Sequence, residues 1–298
     1  MTNNIVAAVV TYNRLDLLKE VVHALKSQTH PLREIIIINN SSTDGTRDWL
    51  LQQDGITIVD QPNTGISGGV YTGLKKASAM DAEWVWVMDD DSIPTATALE
   101  KMVNKFGAIP KPIGFAGPKC LWTDGSVHWM NLPFMTSYVN GIPFNTYDEY
   151  GVCLTENGSF ASLLINIAVA KEVGLPYEDF FIWGDDQEYT KRITDAGYLG
   201  LYCSDSLVLH KTPSNYFADV TADTVKNIWK HKYGFRNEFY MVKKRKGFLF
   251  FMPWLAAKVA YTSFKIIKKR KDNRFRFVGA LMNSAWKAVV FNPQIDRI

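Results

Sequence analysis

The chain predicts an α/β protein: a mostly parallel sheet flanked by helices, followed by a helical, basic C-terminal region. Three observations carry that expectation. Short apolar runs alternate with amphipathic segments through the first hundred residues, at the spacing of right-handed strand–helix–strand crossovers. From about residue 222 to 291 only helical periodicity remains. The charge also changes sign. Residues 1–225 carry 15 Lys and Arg against 27 Asp and Glu, whereas residues 226–276 carry 16 against Glu238 and Asp272 alone. The net charge of +3 therefore hides two regions with different tasks. Residues 1–220 are expected to form one domain and residues 221–298 a second, helical one.

Taken in order, residues 5–10 read as a strand. Residues 15–28 read as a helix with Leu15, Leu18, Val21 or Val22, and Leu25 on one face. The β-branched run 34–38 suits a strand buried on both sides. Turn chemistry at 42–46 leads into a short helix near 47–53, and 56–59 form a third strand. A glycine-rich turn after Pro62 opens a helix to about Ala79, and 84–88 form the fourth strand. Pro94 is expected to open a further helix, capped by Asp91 or Ser92. Beyond Ile113 the rhythm changes. Strands are expected at 114–122 and 126–130, loops at 131–158, a returning strand at 159–165, a helix at 185–196 stopped by Gly197, and a short strand at 206–209 ending in His210.

With 47% hydrophobic residues the chain is large enough for one core or two modest ones. Cys120, Cys153 and Cys203 have neither zinc nor disulfide spacing, which fits a reducing compartment. No basic segment or cleavage site frames the apolar run 5–10, so a signal peptide is not expected.

The most informative feature is Trp84-Val85-Trp86-Val87-Met88 running into Asp89-Asp90-Asp91. Clustered carboxylates disfavour one another's ionisation unless a cation sits among them, and oxygen ligands suit Mg²⁺ or Mn²⁺. In open α/β sheets, ligands bind beyond the carboxyl ends of strands. A solvated, helix-capping turn is the plain alternative. Asn63-Thr64-Gly65-Ile66-Ser67-Gly68-Gly69 lies between a strand and a helix, where backbone N–H groups can meet a phosphate or ring closely. Tight helix–sheet packing explains glycines there equally well, and neither phosphate-binding fingerprint is met. A second apolar run, 180–183, ends at Gly184-Asp185-Asp186. Either aspartate suits the first turn of a helix, and either one beside an aromatic wall suits a general base. Glu188 and Arg192 form an ordinary i,i+4 pair. His210 is structural unless the fold brings it to Asp89 and Asp91, where its imidazole would complete a metal shell.

Lys243-Lys244-Arg245-Lys246 and Lys268-Lys269-Arg270-Lys271 bracket an aromatic, apolar stretch, 247–267, interrupted by Lys258 and Lys265. This pattern fits a helix lying on an anionic membrane surface better than one spanning it. A solvated helical subdomain is the plain alternative. Nucleic acid ranks last because no motif for it is present.

Read together, Val9-Val10-Thr11-Tyr12-Asn13-Arg14, Asn39-Asn40-Ser41-Ser42-Thr43-Asp44-Gly45-Thr46 and Asp89-Asp90-Asp91 resemble glycosyltransferase family 2 over roughly residues 3–215. The Asn63 turn, the triple aspartate and Trp183-Gly184-Asp185-Asp186 are most similar to its galactofuranosyl- and rhamnosyltransferase branch. The resemblance implies a GT-A fold, a sugar nucleotide donor (UDP-galactofuranose first, dTDP-rhamnose next) and inversion at the anomeric carbon. It places Thr11, Arg14, Asn39, Asp44 and Asp90 at the nucleotide, and Asn63, Gly68, Gly69 and Trp183 around sugar and acceptor. It implies Asp89, Asp91 and His210 as metal ligands, with Asp186, flanked by Asp185, as the base. Relatives commonly carry Asp where Asn39 stands, and galactofuranosyltransferases place Trp directly before the paired aspartates, where this chain has Gly184.

The expected function is transfer of a sugar to a lipid-linked or oligosaccharide acceptor in bacterial surface polysaccharide synthesis. The expected location is cytoplasmic, peripheral on the inner membrane face through residues 226–276, with a homo-oligomer allowed. The competing readings are a nucleotidyltransferase making an activated sugar, whose usual basic glycine-rich loop is absent, and a membrane-docked carbohydrate-binding module without catalysis.

Overall fold

The structure, a computed structural model, describes residues 4–298. Contacts divide the chain into two units. The first holds the chain up to Glu178, Asp186–Tyr216 and Ile295–Ile298; the second holds Asp179–Asp185 and Phe217–Gln294.

The first unit is built on a nine-stranded sheet. Its strands are β1 (Ile5–Thr11), β2 (Glu34–Asn39), β3 (Ile56–Asp60), β4 (Trp84–Asp89), β5 (Ser92–Pro94), β6 (Ile113–Leu121), β9 (Val152–Leu154), β10 (Ser162–Asn166) and β11 (Leu199–His210). A separate hairpin pairs β7 (Tyr138–Val139) with β8 (Ile142–Pro143). The spatial order is β3-β2-β1-β4-β10-β6-β11-β5, with β9 on β11. Strands β1 to β4 pair in parallel, β6 and β11 pair in parallel, and β10 runs antiparallel between β4 and β6.

Helices α1 (Leu15–Lys26), α2 (Thr46–Leu50), α3 (Gly65–Ala79), α4 (Ala98–Val103) and α5 (Ile167–Val173) connect these strands. Period-2 alternation divides the buried residues of β1 between two cores. Ile5, Ala7 and Val9 pack with Leu18, Val21 and Leu25 of α1 and Leu99 and Met102 of α4. Val6, Ala8 and Val10 pack with Val70, Leu74 and Ala77 of α3. The glycines of α3 permit this close approach: a Cβ on Gly69 would lie 2.4 Å from Val10 Cγ1.

Three local expectations differ from the structure. Residues 92–94 are a strand, because the edge of β11 pairs with them (Leu209 opposite Ile93), and the next helix, α4, begins only at Ala98. Residues 126–130 form no strand. Trp122 N bonds Ser126 O at 2.8 Å and His128 N bonds Cys120 O at 3.0 Å, then Asn215 captures the Trp129 N–H at 2.9 Å and Trp129–Asn131 coil into a 3₁₀ turn. Strand β11 runs twelve residues rather than four; an irregularity between Cys203 and Leu207 puts polar Ser204-Asp205-Ser206 in its middle and hides its length from periodicity.

The second unit contains α7 (Ile228–Lys246), α8 (Phe248–Lys269) and α9 (Arg274–Val290), packed around Phe239, Phe251, Leu255, Ile266, Phe277 and Leu281. Among the described residues no helix is long and apolar enough to cross a membrane.

Candidate active site

The site grows from the carboxyl end of β4. After Asp89 the chain turns straight into β5, which pairs Ser92 with His210 at the end of β11. That register sets His210 Nε2 3.1 Å from Asp91 Oδ1, and the Lys211 N–H donates to Asp91 O at 2.8 Å. One ligand atom from each of Asp89, Asp91 and His210 lies within 4.8 Å of the others. Asp90 turns to β1, where it accepts from Thr11 Oγ1 at 2.9 Å, Tyr12 N at 3.2 Å and Arg14 Nη1 at 3.2 Å. The same Arg14 nitrogen ion-pairs with Asp91.

The electrostatics follow from burial around these charges. Burial, with the charge of Asp91 next in importance, pushes the Asp89 carboxyl up to about 7. Burial pushes Asp90 up to about 6, with Arg14 opposing. For Asp91 burial also acts upward, but His210 and Arg14 outweigh it and hold the group below the usual carboxylate range. Burial acts downward on His210, yet Asp91 and Asp89 raise it above its ordinary value. His128, stacked on His210 at 4.4 Å, is driven down to about 4 by burial and by that neighbour. Asp91 Oδ1 is buried, and its close contact is the His210 imidazole as an ion pair rather than a well-aligned hydrogen bond. Two carboxylates and an imidazole gathered within 4.8 Å fit a divalent cation of the Mg²⁺ or Mn²⁺ type.

Behind the cluster runs a directional hydrogen-bond chain that the sequence did not reveal. His210 Nδ1 lies 2.7 Å from Asn131 Oδ1, and Asn131 Nδ2 donates to Ser159 Oγ at 2.8 Å. Ser159 in turn neighbours the Asp186 carboxylate and favours its charged form. Asn131 thus fixes the tautomer that leaves His210 Nε2 facing Asp91. Asp186 sits on the first turn of the helix α6 (Asp185–Asp195). Burial pushes its carboxyl up to about 6, opposed by the N–H groups of Gln187 and Phe160 and by Ser159. His128 Nε2 contacts Thr212 Oγ1 at 2.7 Å, which holds its ring against His210. Neither Asn131 nor Ser159 carried a signal: one ends a single 3₁₀ turn, the other lies in irregular chain, and neither has a charge or motif. Glu188 and Arg192 pair at 2.7 Å, and Arg192 also holds the carbonyls of Val173 and Leu175, a structural duty.

The other expected residues line the same ends of β1, β2 and β3, each with a local task. Asn39 Nδ2 donates to Asp60 Oδ1 at 2.8 Å and its Oδ1 accepts from Ser42 N at 3.0 Å. Asp44 accepts from Leu15 N at 3.0 Å and Thr46 Oγ1 at 2.6 Å, so it caps α1 beside Arg14. Those hydrogen bonds hold it below the usual carboxylate range against burial. Asn63 Oδ1 accepts from Gly65 N at 3.0 Å. Gly68 faces Thr64 and Gly69 faces Val10, so close packing alone requires both to lack a Cβ. Asp185 is buried and belongs to the second unit, as does Trp183. There Phe181, Trp183 and Gly184 adopt positive φ (65°, 64° and 86°). Asn237 Nδ2 holds this turn by donating to the carbonyls of Phe180, Ile182 and Trp183 at 2.8–3.2 Å. Trp183 meets His231 edge-on at 5.0 Å.

Comparison with known proteins shows the family and the fold. Galactofuranosyltransferase GlfT1 of Mycolicibacterium smegmatis is 22% identical over 261 residues, covering 82% of this chain and 84% of the relative. The O-antigen chain rhamnosyltransferase WbaN of Salmonella anatum is 27% identical over 202 residues, 65% of this chain and 62% of the relative. Mannosyltransferase PcManGT from Pyrobaculum calidifontis, solved with GDP-Man and Mn2+, superposes with a TM-score of 0.55 at 18% identity, covering 97% of this chain and 76% of that one. That likeness shows the GT-A fold. Residues 7–154 match the family described as Glycosyl transferase family 2, and the chain is a glycosyltransferase belonging to that family.

Proposed function

We propose that this glycosyltransferase is metal-dependent and inverting, moving galactofuranose from UDP-galactofuranose, or else rhamnose from dTDP-rhamnose, to a hydroxyl of a lipid-linked glycan. The carrying observation is that the sheet gathers Asp89, Asp91 and His210 within 4.8 Å and that Asn131 and Ser159 connect this cluster to Asp186. Asp89, Asp91 and His210 would hold the cation, which when bound neutralises charge developing on a departing diphosphate. Arg14, between Asp90 and Asp91, orients those carboxylates and adds positive charge at the same rim. Asp186 takes the proton of the acceptor hydroxyl. The hydroxyl oxygen then bonds the anomeric carbon while that carbon's bond to the diphosphate oxygen breaks, and one displacement inverts the centre. The names of the relatives support the choice of donors, and the Mn2+ in PcManGT supports the ion. The basic segment 226–276 supports an acceptor held at the inner face of the cell membrane, with this chain peripheral to it.

The test is calorimetric titration of UDP-galactofuranose and dTDP-rhamnose with and without Mn²⁺. One donor should bind only with the ion, and Asp91→Ala should weaken that binding by at least about a hundredfold. Equal binding with and without Mn²⁺, or an unaffected Asp91→Ala, would refute the metal assignment.

A further inference from the structure

Helices α8 and α9 of the second unit turn bulky apolar side chains to solvent. On α9 the buried face holds Phe277, Ala280, Leu281, Ser284, Ala285 and Ala288, yet Phe275, Met282, Trp286 and Val290 stand outside. Phe275 is 82% exposed and Trp286 71%. Intervals of seven, four and four residues put these side chains on a single stripe. On α8, Leu249 (91% exposed), Phe264 and Ile267 fall on one stripe in the same way. A helix face turned only to water carries polar side chains, and apolar surface of this kind marks an interaction site.

The α8–α9 turn adds the chemistry of a headgroup site. A shallow, open depression of about 390 Å³ is lined there by Lys271, Asp272, Asn273, Arg274, Phe275 and Arg276. The charge of Asp272 is answered within the chain by Arg270 at 2.9 Å and by Asn273. Arg270 is buried and tied to the carbonyls of Val220 and Asp223. Lys271, Arg274 and Arg276 are exposed.

We propose that this turn and its two flanking helix faces form a docking surface for anionic lipid. Lys271, Arg274 and Arg276 take the headgroup phosphate, and Phe275, Trp286 and Leu249 enter the acyl boundary. This deepens the membrane-face reading above and rests on it only for location. Charge complementarity selects the occupant. Residues 226–276 carry 16 cations against two acids, so a second copy meeting this face with its own would bring like charge against like.

Flotation of the full chain tests the proposal, with vesicles of phosphatidylcholine alone and with about 30 mol% phosphatidylglycerol. The chain should bind the anionic vesicles at least about tenfold more tightly, and high salt should reduce the difference. The combined variant Lys271→Glu, Arg274→Glu, Arg276→Glu should lose that preference, and Phe275→Ser with Trp286→Ser should weaken binding about tenfold. Metal-dependent donor binding, measured in parallel, should remain within about twofold in every variant, which separates docking from the catalytic reading. Three results would overturn the proposal: no preference for anionic vesicles, unchanged binding by both variants, or a concentration-dependent dimer dissolved by Trp286→Ser.

Discussion

The first unit turns its decisive charges inward and the second turns them outward. Asp90 and Asp91 are buried, each fixed by named partners at hydrogen-bond distance, and Asp89 joins them at the sheet rim. The lysines and arginines around 244–246 and 268–276 are mostly exposed, with few acids nearby. Buried charge is costly unless its geometry is over-determined, so it marks chemistry at one point. Exposed charge is screened and mobile, so it acts as a field over an area. Substitutions in the two regions should differ accordingly in size and in what they change.

The largest effect is expected at Asp186. Asp186→Asn should lower turnover by about 10²–10⁴ while donor affinity stays near normal, as single-turnover kinetics and calorimetry would show. Turnover close to wild type would remove the base assignment. Because burial raises Asp186 to about 6 and only its ionised form accepts a proton, kcat/KM should rise with pH through about 6 and then level. The next effect is at Asn131. Asn131→Ala should weaken metal affinity by about 10–100-fold through the orientation of His210, read as the Mn²⁺ midpoint for donor binding. An unchanged midpoint would reduce the His210–Asn131–Ser159 chain to packing.

In the second unit, Asn237→Ala removes the donor from three carbonyls around the Trp183 turn, that of Phe180 buried and those of Ile182 and Trp183 half-buried. It should cost about 1–3 kcal/mol in chemical denaturation. The smallest effect should come from the part-exposed pair Lys258–Glu238 at 2.7 Å. Lys258→Ala should change stability by less than about 1 kcal/mol and lose that difference in high salt. A larger, salt-insensitive loss would contradict the contrast between the two kinds of charge.

The parallel half of the sheet was legible because its evidence is local. Residues 34–38 are β-branched throughout, 15–28 keep helical period, and turn chemistry separates them. Pro94 and residues 126–130 misled because the deciding partners, β11 and Asn215, are distant in sequence. The site divided the same way. Asp89 to Asp91 announced themselves through charge and position, and the family motifs pointed to Thr11 and Arg14. Asn131 and Ser159 are neutral residues outside the main strands and helices, and no periodicity or charge sets them apart. Gly68 and Gly69 stood out as ligand contacts, yet the close approach of Thr64 to Gly68 and of Val10 on β1 to Gly69 already requires both.

Composition and pattern alone determined that acids would cluster after an apolar strand and that cations would crowd a helical region, because both are properties of neighbouring residues. Only the tertiary structure decided that His210 would face Asp91, since that depends on a strand pairing across more than a hundred residues, where hydrogen-bond register rather than local preference sets which side chains meet.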